Sequence, residues 1–594
     1  MKSAALALLF SATFLAAPVS AANPLRGEAS AFLREFADSP VDWTPWGDAA
    51  FARAKAEQKP VFLFVGSFTS ELAGAMRRQT FSNPKNADWL NGHFVCVIVD
   101  RDERPDVAAL YESYLVALKQ LSGWPLNVWL TPDFQPYEGA TYLSPSEDWG
   151  APGFLKLAGQ AQSAWATNPS ACRRRASEAI AQMAPATSSA APAWDPQKNR
   201  ARMDASAAAW LSAFDAQQGG FGDAPRLPEP ELTRFMLLQQ GPARDAALQA
   251  LRALATSAVR DPLDGGFFRH AADAAWRIPY QQKTLADQAR IALAFLDAAK
   301  GKDERSFTEC ARGALDFALS RLALPSGGFA GSLDATGDAY TAYYSWSAAE
   351  IDASLGRDSA SFKEAHGVLA DGNVAAADDP SATYSHRNLL RSLADTSPTQ
   401  AGLAAKLLAL RDRRTAPLRD ERSTAGDNGL MLYALARAGS QLGDGRYLGA
   451  AKKAFSVIQK SYVVSRDGAL RRLQGSELPA DADDYSALAL GCRELAKAGN
   501  DPAAGNLADK LLSQLDARFY SASGTYFGAS LPLGRGFFVR PLPADDPPSA
   551  DALAIFAAAP HSREIAAALS QSLEETSPQA PGDQLLALAL FAAR

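Results

Sequence analysis

Ser122-Gly123-Trp124-Pro125-Leu126-Asn127-Val128-Trp129-Leu130 places an X-Pro turn directly before an apolar run of strand length. Upstream, Val61 to Val65 and Phe94 to Val99 are two further continuous apolar runs that read as buried strands. A helical stretch precedes each: Ala49 to Lys59, which stops before Pro60, and Asn83 to Asn91. A short helical stretch follows the first strand through Met76, and a longer helix runs from near Ala108 to Leu121. Downstream, Thr141-Tyr142-Leu143 can pair with the third strand as a hairpin partner.

Strand, helix, strand, helix, X-Pro turn, hairpin and helix describe an α/β sandwich of thioredoxin type from about Asn23 to Ile180. In that fold the proline position corresponding to Pro125 follows a cis peptide, so Trp124-Pro125 is expected cis. From about Asp195 to Arg594 the grammar changes, and strand signals nearly vanish. Ala-rich helical segments recur at 201–215, 230–240, 243–259, 281–300, 304–322, 400–413, 428–442, 446–461, 484–498, 502–517, 548–558, 563–573 and 583–593. The period is visible after Leu285, where Leu285, Ala289, Ala292, Leu293 and Leu296 share one face. Between helices one phrase returns: Gly219-Gly220-Phe221, Gly265-Gly266-Phe267 and Gly327-Gly328-Phe329. A turn recurring at intervals of roughly 50 residues, each holding two helices, signals a repeated helical hairpin. The fold class is therefore α/β plus all-α, a thioredoxin-like sandwich followed by an (α/α)6 toroid; an open solenoid is the alternative. The glycines permit positive φ and are expected to shape one end of the toroid.

The chain has 594 residues, 59 Lys plus Arg against 65 Asp plus Glu, and a net charge of −6. That balance argues against a nucleic-acid partner held by phosphate neutralisation. Lys2 followed by an apolar run from Ala4 to Pro18 and small residues at Val19-Ser20-Ala21 read as a signal peptide cleaved after Ala21 or Ala22. The domains then read as 1–21 signal peptide, 22–182 thioredoxin-like, 183–196 linker rich in Pro, Ala and Ser, and 197–594 barrel. The mature protein is expected to be periplasmic or secreted, without a membrane span. Cys96, Cys172, Cys310 and Cys492 lie far apart with no C-x-x-C and read as buried thiols, their disulfide status open. The five histidines show no H-E-x-x-H spacing, so no metal and no cofactor is expected.

These motifs resemble a known family, the DUF255 or spermatogenesis-associated protein 20-like proteins, which join a thioredoxin-like domain to a six-hairpin glycosidase-like barrel. Ser39-Pro40-Val41-Asp42-Trp43, Asp100-Arg101-Asp102-Glu103-Arg104-Pro105-Asp106, Gly123-Trp124-Pro125 and Leu130-Thr131-Pro132-Asp133 carry the resemblance in the first domain. Gly219-Gly220-Phe221-Gly222, Gly265-Gly266-Phe267, Leu333-Asp334-Ala335, Asn428-Gly429-Leu430 and Asp484-Tyr485 carry it in the second. Where the family has C-H-W-C, this chain has Ser70-Glu71-Leu72-Ala73, so Ser70 and Ala73 are degenerate redox positions and dithiol exchange cannot run there. Where the family typically has His-Phe-Glu-Lys-Met-Leu-Tyr-Asp, this chain has Tyr280-Gln281-Gln282-Lys283-Thr284-Leu285-Ala286-Asp287, losing two acid/base groups. The Trp that precedes the conserved Asn in the family is Asp427 here.

Arg269, Tyr280, Lys283, Tyr344, Trp346 and Asn428 are the expected ligand-binding residues, suited to stacking on and hydrogen bonding to a hydroxylated ligand. His270, Asp287, Asp334 and Asp484 are the candidate acid/base groups, each aspartate being equally readable as a helix cap or ion pair; Lys283 and Asp287 have the spacing of an ordinary helical pair. Two functions follow. One is a redox-inactive exported protein whose barrel binds a carbohydrate or other small polar ligand, with a protein partner at the thioredoxin-like domain. The other is a sugar epimerase or glycoside hydrolase.

Overall fold

The protein is described by a computed structural model covering all residues except 1–23, 122, 148–151, 184–191, 301–303, 335–337, 394–396, 465–467, 529–536, 538–548 and 576–578. The expected signal peptide and most of the expected linker lie outside the described residues. Five strands, β1 (Trp43–Pro45), β2 (Val61–Gly66), β3 (Val95–Asp100), β4 (Leu126–Leu130) and β5 (Pro136–Ala140), form one sheet in the order β1-β3-β2-β4-β5. β1 and β2 run parallel to β3, while β4 is antiparallel to both β2 and β5. This is the thioredoxin arrangement. β2, β3 and β4 are buried on both faces, as their unbroken apolar runs require. The hairpin partner of β4 is Pro136–Ala140 rather than Thr141 to Leu143, because Asp133 and Phe134 already complete the turn after Thr131. The three-residue edge strand β1 was too short to carry a sequence signal. Trp124-Pro125 is cis, as is Ala224-Pro225.

The second domain is a closed ring. Six inner helices, Pro230–Leu238, Leu285–Ala298, Ala425–Gln441, Ala482–Gly499, Ala550–Phe556 and Gly582–Ala592, each pack on the next, and the last packs on the first. Six outer helices, Pro196–Ser212, Pro242–Thr256, Glu304–Phe317, Gly445–Ser461, Pro502–Phe519 and Ser562–Glu575, surround them, completing an (α/α)6 toroid. Small residues let the inner helices close up. A Cβ on Gly429 would meet the Ala487 backbone at 2.6 Å, and one on Gly491 would meet the Gly429 carbonyl at 2.5 Å.

The segment at 400–413 does not join this ring. It forms the helix Pro398–Arg411, which packs on Ala348–Leu355 in a satellite with its own core of Trp346, Ile351, Phe362, Leu403 and Leu407. The Gly-Gly-Phe turns lie in the loops leading into inner helices. Phe214 bridges Phe221, Arg260 bridges Phe267 and Ala323 bridges Phe329. The same bridge recurs at Val463 with Leu470 and Tyr520 with Tyr526, two repeats that the Gly-Gly-Phe phrase does not mark. The turn glycines press on the neighbouring outer helix, Gly219 on Ala253 and Gly265 on Gly313, which is why a side chain is excluded there. Polar residues in the first turns of inner helices clamp the aromatic of the turn. Gln288 accepts from the Phe267 amide and donates to its carbonyl, both at 2.8 Å.

Candidate functional site

Each inner helix starts at the same end of the toroid, and short polar side chains fix several of those starts. Thr284, Thr424 and Asp481 accept from the amides of Asp287, Asp427 and Asp484, at 3.1, 3.2 and 3.1 Å. An acid three residues after a cap is favoured by the helix dipole, so this end of the barrel collects carboxylates for reasons of helix stability alone. Five of the six inner helices contribute residues of their N-terminal turns to the wall of one cavity of about 390 Å³.

The thioredoxin-like domain roofs this cavity. Ser67 and Thr69 after β2, and Arg101, Asp102 and Pro105 after β3, line it from above. These follow the carboxyl ends of the parallel strands, the edge at which the domain would carry a redox motif. Gln282 Nε2 donates to the Thr69 carbonyl at 2.7 Å, and Arg472 Nε donates to the Asp102 carbonyl at 2.8 Å. Arg422 spans the seam, pairing with Asp100 of the roof and with Asp420 of its own domain. Burial pushes the Asp100 carboxyl up to about 7 despite Arg422 beside it.

Charges in the cavity fall into two sets. Arg290 is bidentate on Glu231, Arg422 takes Asp420 and Asp100, and Arg472 Nη1 holds Asp481 at 3.0 Å and Asp484 at 2.8 Å. Asp427 and Asp483 have no cation within ion-pair distance among the described residues. Burial raises the Asp427 carboxyl, helped by Asp102 and Asp287 across the cavity. Burial raises the Asp483 carboxyl well above its usual range, helped by Asp481, and Asp483 Oδ1 is buried without a hydrogen-bond partner. Asp481 and Asp484 share the one guanidinium of Arg472 with Asp483 beside them, so a proton is retained in that set more readily than on free aspartate.

Of the residues expected from sequence, Arg269, Asp287 and Asp484 line the cavity. The others do not. His270 lies with its ring 4.0 Å from that of Tyr280, and burial, with Arg269 beside it, pushes its pKa down to about 4, so it is neutral at pH 7. Lys283 is wholly buried and does not pair with Asp287; its Nζ bonds Asp261 at 2.8 Å and Asp264 at 2.7 Å, since its strand Gln282–Thr284 turns it away from the following helix. Asp287 instead accepts from Thr284 Oγ1 at 2.7 Å and faces Arg290 at 3.6 Å. Tyr344 packs in the barrel core and Trp346 in the satellite core, where Arg414 lies 3.8 Å over its ring. Asn428 is spent on the Phe329 turn, accepting its amide at 3.0 Å and donating to Thr424 O and Ser423 Oγ. Asp334 sits in the small sheet between Gln282 and Leu418, outside the cavity wall. Among the described residues no aromatic side chain lines the cavity, so none of the expected aromatics forms a stacking platform there. Arg101, Arg290, Arg422, Arg472, Asp427 and Asp483 were not singled out, although the repeated cap-x-x-Asp phrase at 284–287, 424–427 and 481–484 marks the helix starts that carry the two central ones.

Of the positions expected to be degenerate redox positions, Ser70 Oγ caps the helix Glu71–Met76 by accepting from Ala73 N at 3.2 Å, and Ala73 is fully buried. All four cysteines are free and buried; burial raises the thiols of Cys96, Cys310 and Cys492. Among the described residues no helix is long and apolar enough to cross a membrane, and no group of three or more His, Cys, Asp or Glu could hold a metal ion.

Residues 22–184 match the family described as "Protein of unknown function, DUF255". Human spermatogenesis-associated protein 20 is 29% identical over 581 residues, covering 88% of this chain and 73% of that protein. The uncharacterized protein B0495.5 of Caenorhabditis elegans is 28% identical over 556 residues, covering 85% and 75%. Among solved structures, the cellobiose 2-epimerase of Spirochaeta thermophila is 14% identical and covers 66% of this chain and 84% of that one, at a TM-score of 0.37. An inactive variant of an α-1,6-mannanase from a Salegentibacter species is 9% identical and covers 67% and 99%, at a TM-score of 0.38. Motifs, domain order and relatives agree in likening the chain to the spermatogenesis-associated protein 20 proteins over most of its length, and its first domain is thioredoxin-like.

Proposed function

We propose that the roofed mouth of the toroid binds a small, polyhydroxylated, carbohydrate-like ligand, and that the thioredoxin-like domain acts as its roof and not as a thiol–disulfide oxidoreductase. One observation carries this reading: a single cavity of about 390 Å³, walled by both domains and lined with donors and acceptors of both charge signs. That volume falls in the range of small-molecule sites, roughly 300–1,000 Å³. With no aromatic side chain among the described lining residues, affinity would come from hydrogen bonds to hydroxyls. The edge through which the thioredoxin-like domain would dock a protein partner is occupied by the barrel itself, at Thr69 and Asp102. Export through residues 1–21 belongs to the same proposal and is tested by the N-terminal mass of the protein recovered from a periplasmic fraction.

The reading is tested by a thermal-shift screen of the full chain against a mono- and oligosaccharide panel. A concentration-dependent rise in melting temperature with at least one sugar is expected, and a flat response across the panel overturns it. A second reading, a carbohydrate-active enzyme, is favoured by carboxyls of the cavity wall, Asp427 and Asp483 among them, that have no ion-pair partner among the described residues. Asp427 and Asp483, with Asp287, would take the acid/base roles in place of His270 and Asp334. Turnover of a bound sugar that Asp483→Asn removes, with binding retained, supports it.

A further inference from the structure

Three of the cavity's arginines are neutralised by buried carboxylates; Arg269 is not. Among the described residues its side chain makes no ion pair, and its one hydrogen bond is a long one, 3.4 Å from Nη1 to Thr69 Oγ1 of the roof. Arg101 reaches the same space from the end of β3, with Asp102 at 4.0 Å and the Trp124 ring 4.2 Å beneath its guanidinium. The two guanidiniums come from different domains and both line the cavity. Burial pushes the Arg101 guanidinium below its ordinary pKa; Asp102, Glu112 and Asp100 oppose the fall, and the like charge of Arg269 adds to it. A guanidinium with no carboxylate of its own in a partly dehydrated seam, as Arg269 has none among the described residues, costs free energy unless something negative reaches it. The positive ends of inner helices point into the same cavity and add to the field. A planar guanidinium offers paired donors matched to carboxylate or phosphate oxygens.

We propose that Arg101 and Arg269 form a composite anion subsite at the domain seam, and that the ligand is a sugar-sized hydroxylated molecule bearing one carboxylate or phosphate. This rests on the reading of the cavity as a carbohydrate-like site and narrows it to an anionic member. It also gives the roof a ligand-contacting residue of its own.

The test titrates the full chain calorimetrically with D-glucose, D-glucuronate, D-glucose 6-phosphate and inorganic phosphate, in wild type and in Arg269→Gln and Arg101→Gln. Binding of glucuronate or glucose 6-phosphate at least tenfold tighter than glucose, with the preference reduced to less than threefold in both variants, is expected; which of the two binds identifies the anion. If glucose binds as tightly as both charged sugars, the subsite is overturned while the carbohydrate reading stands. If phosphate alone binds and its binding depends on Arg269, the subsite stands and the carbohydrate reading falls. If no ligand discriminates by charge, or if either folded variant keeps the preference, the subsite is overturned; because the wild-type comparison needs no variant, a variant that fails to fold does not shelter it.

Discussion

Two clusters of buried charge in the barrel domain solve the same problem differently. In the first, Lys283 and Arg411, 0% and 1% exposed, face Asp261 and Asp264 with every contact between 2.6 and 2.8 Å. Charge balances, both carboxylates are bridged by both cations, and the rings of Phe268, Phe317 and Tyr344 lie 4.6–5.0 Å from the lysine nitrogen. Burial alone would raise the Asp261 carboxyl, yet Arg411 and Lys283 hold it well below its usual range. In the second, at the cavity, Arg472 pairs with two carboxylates, and among the described residues Asp427 and Asp483 make no ion pair with a cation and Arg269 none with an anion. A balanced cluster is a structural cross-brace. An unbalanced one costs stability, and proteins keep such arrangements where a ligand completes them.

The largest effect should come from breaking the balanced cluster. Lys283→Met leaves two buried carboxylates on one guanidinium and is expected to destabilise the barrel by about 3–5 kcal/mol, read from urea unfolding. A melt superimposable on wild type would erase the contrast. At the cavity end the sign reverses. Asp551 is buried near Asp483 and Asp583, and burial raises its carboxyl to about 7 from the ordinary 3.8. The folded state therefore binds the proton more tightly than the unfolded one, and stability present below pH 4 is lost as pH climbs through 7. Asp551→Asn, which keeps an acceptor for the Tyr526 amide, should equal wild type near pH 4 and exceed it by on the order of 4 kcal/mol at pH 8. A gap that does not change with pH would show that Asp551 is ionised throughout.

Asp483→Asn should follow the same direction with a smaller gain, about 1 kcal/mol at pH 8, because removing one carboxylate relieves the crowding around Arg472. Loss of stability in that variant would move Asp483 into the balanced class. The smallest effect belongs to the roof. Ser70→Ala removes only a helix cap and should cost about 1 kcal/mol, leaving insulin reduction at background before and after. Measurable insulin reduction by the wild-type chain would overturn the redox-inactive reading.

Much of the architecture was legible in linear order. β2, β3 and β4 are buried on both faces, so their residues are apolar without interruption, and their ends were read within one residue. The inner helices were visible because they are small and apolar nearly all round, as at Leu285–Ala298. The misplacement of 400–413 had the opposite cause: Pro398–Arg411 has a helical period that fits a barrel and a satellite equally well. The site was less legible. Lys283, Tyr344, Trp346 and Asn428 have the side chains of a binding pocket, but each is consumed by core contacts that a residue type does not reveal. The cap-x-x-Asp phrases were present at Thr284, Thr424 and Asp481, and their recurrence at inner-helix starts was the available clue to Asp427 and Asp484.

Residue order alone was enough to establish two domains, their fold classes and the loss of sulfur at positions 70 and 73, since these depend on local periodicity and on chemistry that is either encoded or absent. The facing of the domains required the folded chain. Thr69, Asp100 and Asp102 meet Arg269, Gln282, Arg422 and Arg472 across separations of 200 residues and more, and long-range electrostatic complementarity leaves no periodic trace in the chain. Whether a given aspartate is a brace or a group left for a ligand depends on which cation arrives beside it, and that is settled by packing.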